Sequence, residues 1–323
     1  MPAVAASGIM AAGATALATA PLIGPKDKVM PLRPRSFLAP NASPMTLEGT
    51  ITYVIGRSII AMIDPGSADR AHLDTLAGVA AEAKRTVIIV THDHPDHSTG
   101  ALELAERTGA ALLGGHAGRR ADPTAARRPG PAGARRPGPD APRRAAPGPD
   151  APPGVKGTGE AARAAGGGLL ADGVGIDTDE GALIVVRTPG HSPDHISLHW
   201  PAASAIFCGD LMMGGLDTAV VAAPEGDLGA YLKSLERLRS LRPSVIYPSH
   251  GLPITDPDDA IERYIRHREE RLEQVRAAVE AGVDEVESIT DRIYGDSLEP
   301  ALRPFAESAV AAYLAHLRAS GRA

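Results

Sequence analysis

The stretch Thr86-Val87-Ile88-Ile89-Val90-Thr91-His92-Asp93-His94-Pro95-Asp96-His97 decides the fold and points to the chemistry. Residues 86–90 form a short apolar, β-branched run, the pattern of a strand buried on both faces of a layered α/β sheet. Four metal-ligating side chains follow within six residues, where open α/β sheets build their sites, at the carboxyl end of a strand. They cannot all lie on one regular element. In a loop, His92 and His94 can face one way and Asp96 and His97 another, which suits two neighbouring metal ions.

Outward from this stretch, the elements alternate. Thr50–Ile55 and Ile59–Ile63 read as a hairpin about Gly56-Arg57. Leu73, Leu76, Val79 and Ala80 give residues 71–84 a helical period. Ser98 is placed to cap a helix running to about Arg107, and a strand follows over 110–113. This β-β-α-β-α-β order indicates an α/β layered domain. Further strands are expected at Ala182–Arg187, Ile196–Trp200, Ala205–Cys208 and Ser244–Tyr247. An amphipathic helix is marked by Leu228, Leu232, Leu235 and Leu238, and a long one runs from Asp258 to Ala281, stopped by Gly282. Two or three short helices are expected over 283–323.

Between the two halves the character changes. Residues 118–168 lack a hydrophobic period and carry a degenerate repeat, Arg127-Arg128-Pro129-Gly130, then Arg135-Arg136-Pro137-Gly138, then Arg143-Arg144-Ala145-Ala146. Such a segment buries too little apolar surface to offset its ordering entropy and is expected to be a disordered insertion. Residues 1–37 read as a partly disordered tail. Within it, Ala18-Thr19-Ala20 resembles a cleavage site, but no basic region precedes it. The net charge of −6 presents no global basic field to nucleic acid or membrane. The single cysteine, Cys208, permits no intrachain disulfide and points to a reducing, cytoplasmic setting.

Three more candidate ligands each follow a strand: His191 in Thr188-Pro189-Gly190-His191, Asp210 in Gly209-Asp210, and His250 in Pro248-Ser249-His250-Gly251. HxHxDH, TPGH, GD and PSHG in this order resemble the metallo-β-lactamase superfamily over about residues 38–267. The resemblance implies an αββα sandwich over 38–265. It implies that His92, His94 and His191 hold one zinc, Asp96, His97 and His250 a second, and Asp210 both. Residues 39–56, the run TPGHSPDHISL and the tail from His267-Arg268-Glu269-Glu270 to Leu317 are similar to the β-lactamase-like protein 2 branch. That similarity implies a small, helical, winged-helix-like domain over 266–323; the acidic balance of that tail gives it a structural role, as a dimer contact or a lid over the site.

The ligand types suit two Zn2+ ions, with Mn or Fe also compatible. Two such cations lower the pKa of a shared water from about 15.7 toward 7, so that a metal-bound hydroxide attacks an acyl or phosphoryl centre. Asp96 is the candidate catalytic residue that orients the water. The expected enzyme is a binuclear zinc-dependent hydrolase of a small acyl substrate, a thioester, lactone or β-lactam. An endoribonuclease acting on RNA is the alternative, and a non-catalytic metal- or partner-binding module a third reading.

Charge weighs against RNA: residues 266–323 hold eight Arg against eleven Asp and Glu, a balance of −3. The only basic stretch is 119–144, with eight Arg against two Asp. Two residues are candidates for supporting the ligands. Asp64 either hydrogen-bonds a ligand histidine or simply forms the Asp-Pro-Gly turn. His195 either lines the pocket or has a structural role. Cys208, two residues before Asp210, is expected on the same strand face and in the core. Tyr231 is expected to pack.

Overall fold

The structure is a computed structural model, and it describes residues 32–115, 155–156, 169–216, 221–295 and 298–321. Two sheets face each other. The first has the order β1 (Arg35–Leu38), β2 (Ile51–Ile55), β3 (Ile59–Ile63), β4 (Arg85–Val90) and β5 (Ala111–Gly114). Its pairs are antiparallel from β1 to β3 and parallel from β3 to β5. The second runs from β6 (Val155–Lys156) through β7 (Gly175–Ile176), β8 (Leu183–Arg187), β9 (Ile196–Trp200) and β10 (Ala205–Gly209) to β11 (Val245–Pro248). Only β10 and β11 are parallel there.

The period of two along each strand sorts its side chains between layers. Ala61, Ile63, Val87 and Ile89 point between the sheets and meet Leu183, Val185, Leu198 and Phe207. Ile60, Met62, Ile88 and Val90 point outward, under α1 (Arg70–Ala81) and α3 (Ala101–Thr108), where Leu73, Leu76 and Leu104 cover them. Strand β4 is therefore apolar throughout because both of its faces are buried. On the far side, Ile206 and Ile246 are covered by α4 (Leu228–Ser240) and α5 (Pro257–Glu280) through Tyr231, Leu235, Ile261 and Tyr264. The result is a four-layer αββα arrangement. The last helices, α6 (Val286–Tyr294) and α7 (Arg303–Ala319), pack against α4 and α5 through Leu228, Val275, Ile289, Val310 and Leu314.

The structure departs from the sequence expectations in several places. Ser98 does not cap the helix to Arg107: it lies inside a separate turn of helix, α2 (Pro95–Ser98), and α3 starts after Gly100. Of the segment read as an insertion over 118–168, the described residues are the two of strand β6, which pairs Val155 with Ile176 and Lys156 with Gly175. An edge strand can be held by main-chain pairing alone, so it leaves no apolar period to read. The rest of that segment, His116 and residues 1–31 lie outside the described residues. The boundary expected between 265 and 266 falls inside α5. Beyond α5, the described residues form α6, a 3-10 turn at Pro300–Leu302 and α7, with no strand among them. Among the described residues, no helix is long and apolar enough to cross a membrane.

Candidate metal centre

Strands β3 and β4 run in one direction, as do β8, β10 and β11, so the loops after them gather at shared edges of the two sheets. The seven candidate ligands follow four of these strands, and the structure brings them together in two groups. His92, His94, His191 and Asp210 form one; Asp96, His97, His250 and Asp210 form the other. Within each group the potential ligand atoms all lie within 4.8 Å of one another. Asp210 belongs to both.

The first group closes around His94 Nδ1, which lies 3.0 Å from His92 Nε2 and 2.9 Å from His191 Nε2. Asp210 Oδ2 is 4.0 Å from His92 Nε2 and 3.7 Å from His191 Nε2. In the second group, Asp96 Oδ2 is 3.3 Å from His97 Nε2 and 3.2 Å from His250 Nε2. Asp210 Oδ1 is 3.2 and 3.3 Å from the same two nitrogens.

The surroundings fix how the second group's histidines are turned. His97 Nδ1 donates to Asp64 Oδ2 at 2.9 Å, and His250 Nδ1 donates to the Gly49 carbonyl at 3.2 Å. With Nδ1 carrying the proton, Nε2 of each neutral ring offers a lone pair to the site. His97 Nε2, His250 Nε2 and Asp210 Oδ1 are buried and have no hydrogen bond of good geometry. Lone pairs then face carboxylate oxygens, an arrangement that requires a cation between them. The donor set of imidazole and carboxylate, without thiolate, fits a divalent transition metal.

Without an ion, protons take its place. Burial disfavours a charged His97, but the Asp210 and Asp64 carboxylates outweigh it and hold its pKa well above the ordinary imidazole value. His250 is likewise opposed by burial yet raised to about 9 by Asp210 and Asp96. Burial also opposes ionisation of Asp96 and Asp210, but the close, positively charged His97 and His250 rings keep both well below the usual carboxylate range. His92 is kept neutral by burial and by the neighbouring His97 and His191 rings.

Asp64 is fully buried and accepts from four donors. They are Thr91 N–H at 2.7 Å, Thr91 Oγ1 at 2.8 Å, Ser249 Oγ at 3.0 Å and His97 Nδ1. It sits at φ 50°, a strained backbone for a residue with a Cβ. The hydrogen-bonding reading of Asp64 is the one these contacts support; residues 64–69 form no hydrogen-bonded turn. His195 is buried and does not line the cleft. Its Nε2 accepts from the Asp210 backbone N–H at 3.1 Å, and its Nδ1 lies 2.9 Å from Thr188 Oγ1. Burial and the nearby His191 lower its pKa to about 3, so it stays a neutral acceptor.

Two glycines make these approaches possible. Gly190, at φ 136°, lies so close to α4 that a Cβ there would sit 2.3 Å from Tyr231 Cα. Gly209, at φ 53°, leaves room for the His195 ring, which a Cβ would meet at 2.6 Å. The same residue corrects the reading of Cys208. The left-handed Gly209 and the register shift beside it break the strand alternation. Cys208 therefore points into the cluster beneath α4 and α5 while Asp210 turns to the site. Tyr231 packs as expected, with its hydroxyl donating to the Leu211 carbonyl at 2.6 Å.

Glu225 was not anticipated. Its Oε2 lies 3.4 Å from His94 Nε2, on the side of the ring away from the cluster. A lone glutamate in a loop offers no pattern by which sequence could select it. Four of the candidate ligands, His94, Asp96, His191 and Asp210, floor a cleft of about 360 Å3 walled by Met45, Met213, Ala222, Pro224, Glu225 and Phe305. The loop at 221–227 is tied to α7 by Ala223 N–H donating to the Ser308 carbonyl at 3.0 Å, so the C-terminal helix helps to shape the cleft.

The sequence pattern of the metallo-beta-lactamase superfamily matches residues 46–250, which span every candidate ligand. The chain belongs to the metallo-beta-lactamase superfamily. It is a hydrolase of that fold. It is 31% identical to the beta-lactamase-like protein 2 homolog of Drosophila melanogaster over 250 residues, 74% of this chain and 71% of that protein. It is 26% identical over 259 residues to the atrochrysone carboxyl ACP thioesterase of Aspergillus fumigatus, covering 79% of this chain and 68% of the other. A solved metallo-beta-lactamase family protein from Thermus thermophilus superposes with a TM-score of 0.62 at 21% identity, covering 89% of this chain and 94% of that one. That similarity concerns the fold.

Proposed function

We propose that this superfamily member is a binuclear zinc hydrolase of acyl substrates, thioesters foremost. The observation that carries the reading is the Asp210 carboxylate shared by two ligand groups at the floor of an apolar-walled cleft. His92, His94 and His191 would hold one ion and Asp96, His97 and His250 the other, with Asp210 available to both. When bound, two such cations supply a nucleophile at neutral pH from a shared water and neutralise charge developing on the substrate oxygen.

The chain's own residues do the rest. Asp96, ionised and partly exposed to the cleft, would accept a hydrogen bond from a water there and orient it toward the acyl carbon. Asp64 and the Gly49 carbonyl hold the tautomers of His97 and His250, and His195 holds the Asp210 backbone. Met45, Met213 and Phe305 exclude bulk water from one side of the cleft.

An acyl substrate suits this cleft better than RNA. Its described walls include no Lys or Arg, and Glu225 would repel a phosphodiester. The thioesterase name of one relative agrees with that choice. The test is a panel of acyl thioesters, a lactone, a chromogenic β-lactam and short RNA, assayed on zinc-loaded protein, with metal content measured in parallel. About two zinc equivalents and thioester turnover are expected. RNA cleavage without acyl turnover would overturn the assignment.

A further inference from the structure

A second cavity, of about 290 Å3, opens beside the metal cleft. Met45, Met213 and Phe305 wall both, so the two are continuous. Its far side is built by the C-terminal helices through Tyr294, Ala306, Ala309 and Tyr313. Two observations separate it from an ordinary packing gap. Leu216 and Phe305, among the few large apolar side chains left exposed in the described residues, at 41% and 42%, both line it. Apolar surface held open to water in a concave site marks a binding surface. Three polar residues of α5, His267, Arg268 and Arg271, also line this largely apolar space. Arg271 lies over the Tyr294 ring, 4.5 Å from its centroid, and donates to Gln274 Oε1 at 2.7 Å. Neither partner is an anion.

We infer that this cavity takes the distal part of the substrate's acyl group, and that it selects an apolar body ending in an anionic group. The inference rests on the acyl-hydrolase reading of the metal cleft. With the carbonyl at the ligand groups, the body passes the junction of Met45, Met213 and Phe305. Thioether side chains there adapt to different shapes. The body then lies against Ala306 and Ala309, and its far anion meets Arg271. Each methylene buried along this path strengthens binding by up to about fourfold.

Calorimetric titration of zinc-loaded protein with acetate, decanoate and decanedioate tests the cavity without relying on turnover. Decanoate is expected to bind at least tenfold more tightly than acetate, and decanedioate at least threefold more tightly than decanoate. Ala309→Phe, which fills the cavity, should remove the gain from chain length; Ala306→Leu serves if that variant melts early. Arg271→Ala should remove the preference for the dicarboxylate, and Arg271→Lys should restore part of it. In turnover, the ratio of kcat/KM for decanoyl over acetyl thioesters should fall at least tenfold in Ala309→Phe. Decanoate binding no tighter than acetate, or a chain-length gain that survives in a folded filled variant, overturns the inference. If the binding pattern holds and no thioester is cleaved, the apolar-anion site stands and the acyl-hydrolase reading fails. If thioesters are cleaved without regard to chain length, the hydrolase reading stands and the cavity assignment fails.

Discussion

Replacing Asp64 with Asn removes one charge and changes one atom, yet no orientation of the amide satisfies its site. In the native protein Oδ1 accepts from Thr91 N–H, while Oδ2 accepts from Thr91 Oγ1, Ser249 Oγ and His97 Nδ1. If the amide oxygen takes the place of Oδ2, the NH2 group faces the Thr91 N–H, donor against donor. If it takes the place of Oδ1, the NH2 group faces His97 Nδ1. The two hydroxyls can then rotate, but His97 must give up its Nδ1 proton and keep one only on Nε2, the atom that faces the site. Hydrogen bonds to a charged group are worth about 1.5–3 kcal/mol each. Losing one or two of them should cost the metal-free protein about 3 kcal/mol. For a domain of this size that lowers the melting temperature by roughly 6–12 °C. Metal affinity should fall about 10- to 100-fold, the usual effect of losing a group that orients a ligand histidine. Competition against a chromophoric chelator and thermal unfolding of the stripped protein read the two effects separately. An Asp64→Asn protein that binds zinc within twofold of wild type and melts at the same temperature would refute the argument that Asp64 sets the tautomer of His97.

Asp210→Ala should lower the metal content from near two equivalents to one or fewer, whereas Cys208→Ala should keep both ions and cost about 1 kcal/mol of stability; equal metal loss in two folded variants would contradict the geometry at Gly209. Gly190→Ala should destabilise the fold by about 2 kcal/mol or more, because its Cβ meets the Tyr231 backbone, and should shift His191 enough to weaken metal binding; a wild-type melting curve would count against that tight approach. His250 in the metal-free protein has a pKa of about 9, raised from 6.5, and His97 is raised as well. The stability they supply is complete below about pH 6.5 and is lost as pH climbs through 9, so the stripped protein should melt at lower temperature across that window. Zinc must displace those protons, so affinity should rise over the same range, and calorimetry at pH 7 in two buffers of different ionisation enthalpy should detect about two protons released per chain. Flat melting and no proton release would sink this reading.

Much of the fold is written locally. The β-branched run at 86–90 is a strand because both of its faces are covered, and its neighbour at 59–63 follows the same logic. The ligand loop 92–97 is legible for a different reason: so many ligating side chains after one strand have few other uses. What escaped is non-local. The partners of Asp64 that decide its role lie 27 and 185 residues away, at Thr91 and Ser249, so the Asp-Pro-Gly sequence alone leaves its role open. Glu225 meets His94 across 131 positions with no motif around it. The alternation rule placed Cys208 with Asp210 because it assumes a regular strand, and a left-handed glycine ends that regularity. Strand β6 has only two residues, too few to show any period. The start of α3 was misjudged because α2 intervenes as a separate turn after Pro95.

The candidate ligands come from both sheets: His92, His94, Asp96 and His97 follow a strand of the first, while His191, Asp210 and His250 follow strands of the second. Neither half of the sandwich can assemble either group alone. Bound ions would therefore act as rivets across the sandwich, present only when its halves are docked. Mass action then ties folding to metal supply: free ion at a hundred times its Kd adds about 2.7 kcal/mol to the folded state. Metal starvation would thin the population of intact molecules as well as silence those that remain, and a chelator would act on this protein partly as a denaturant.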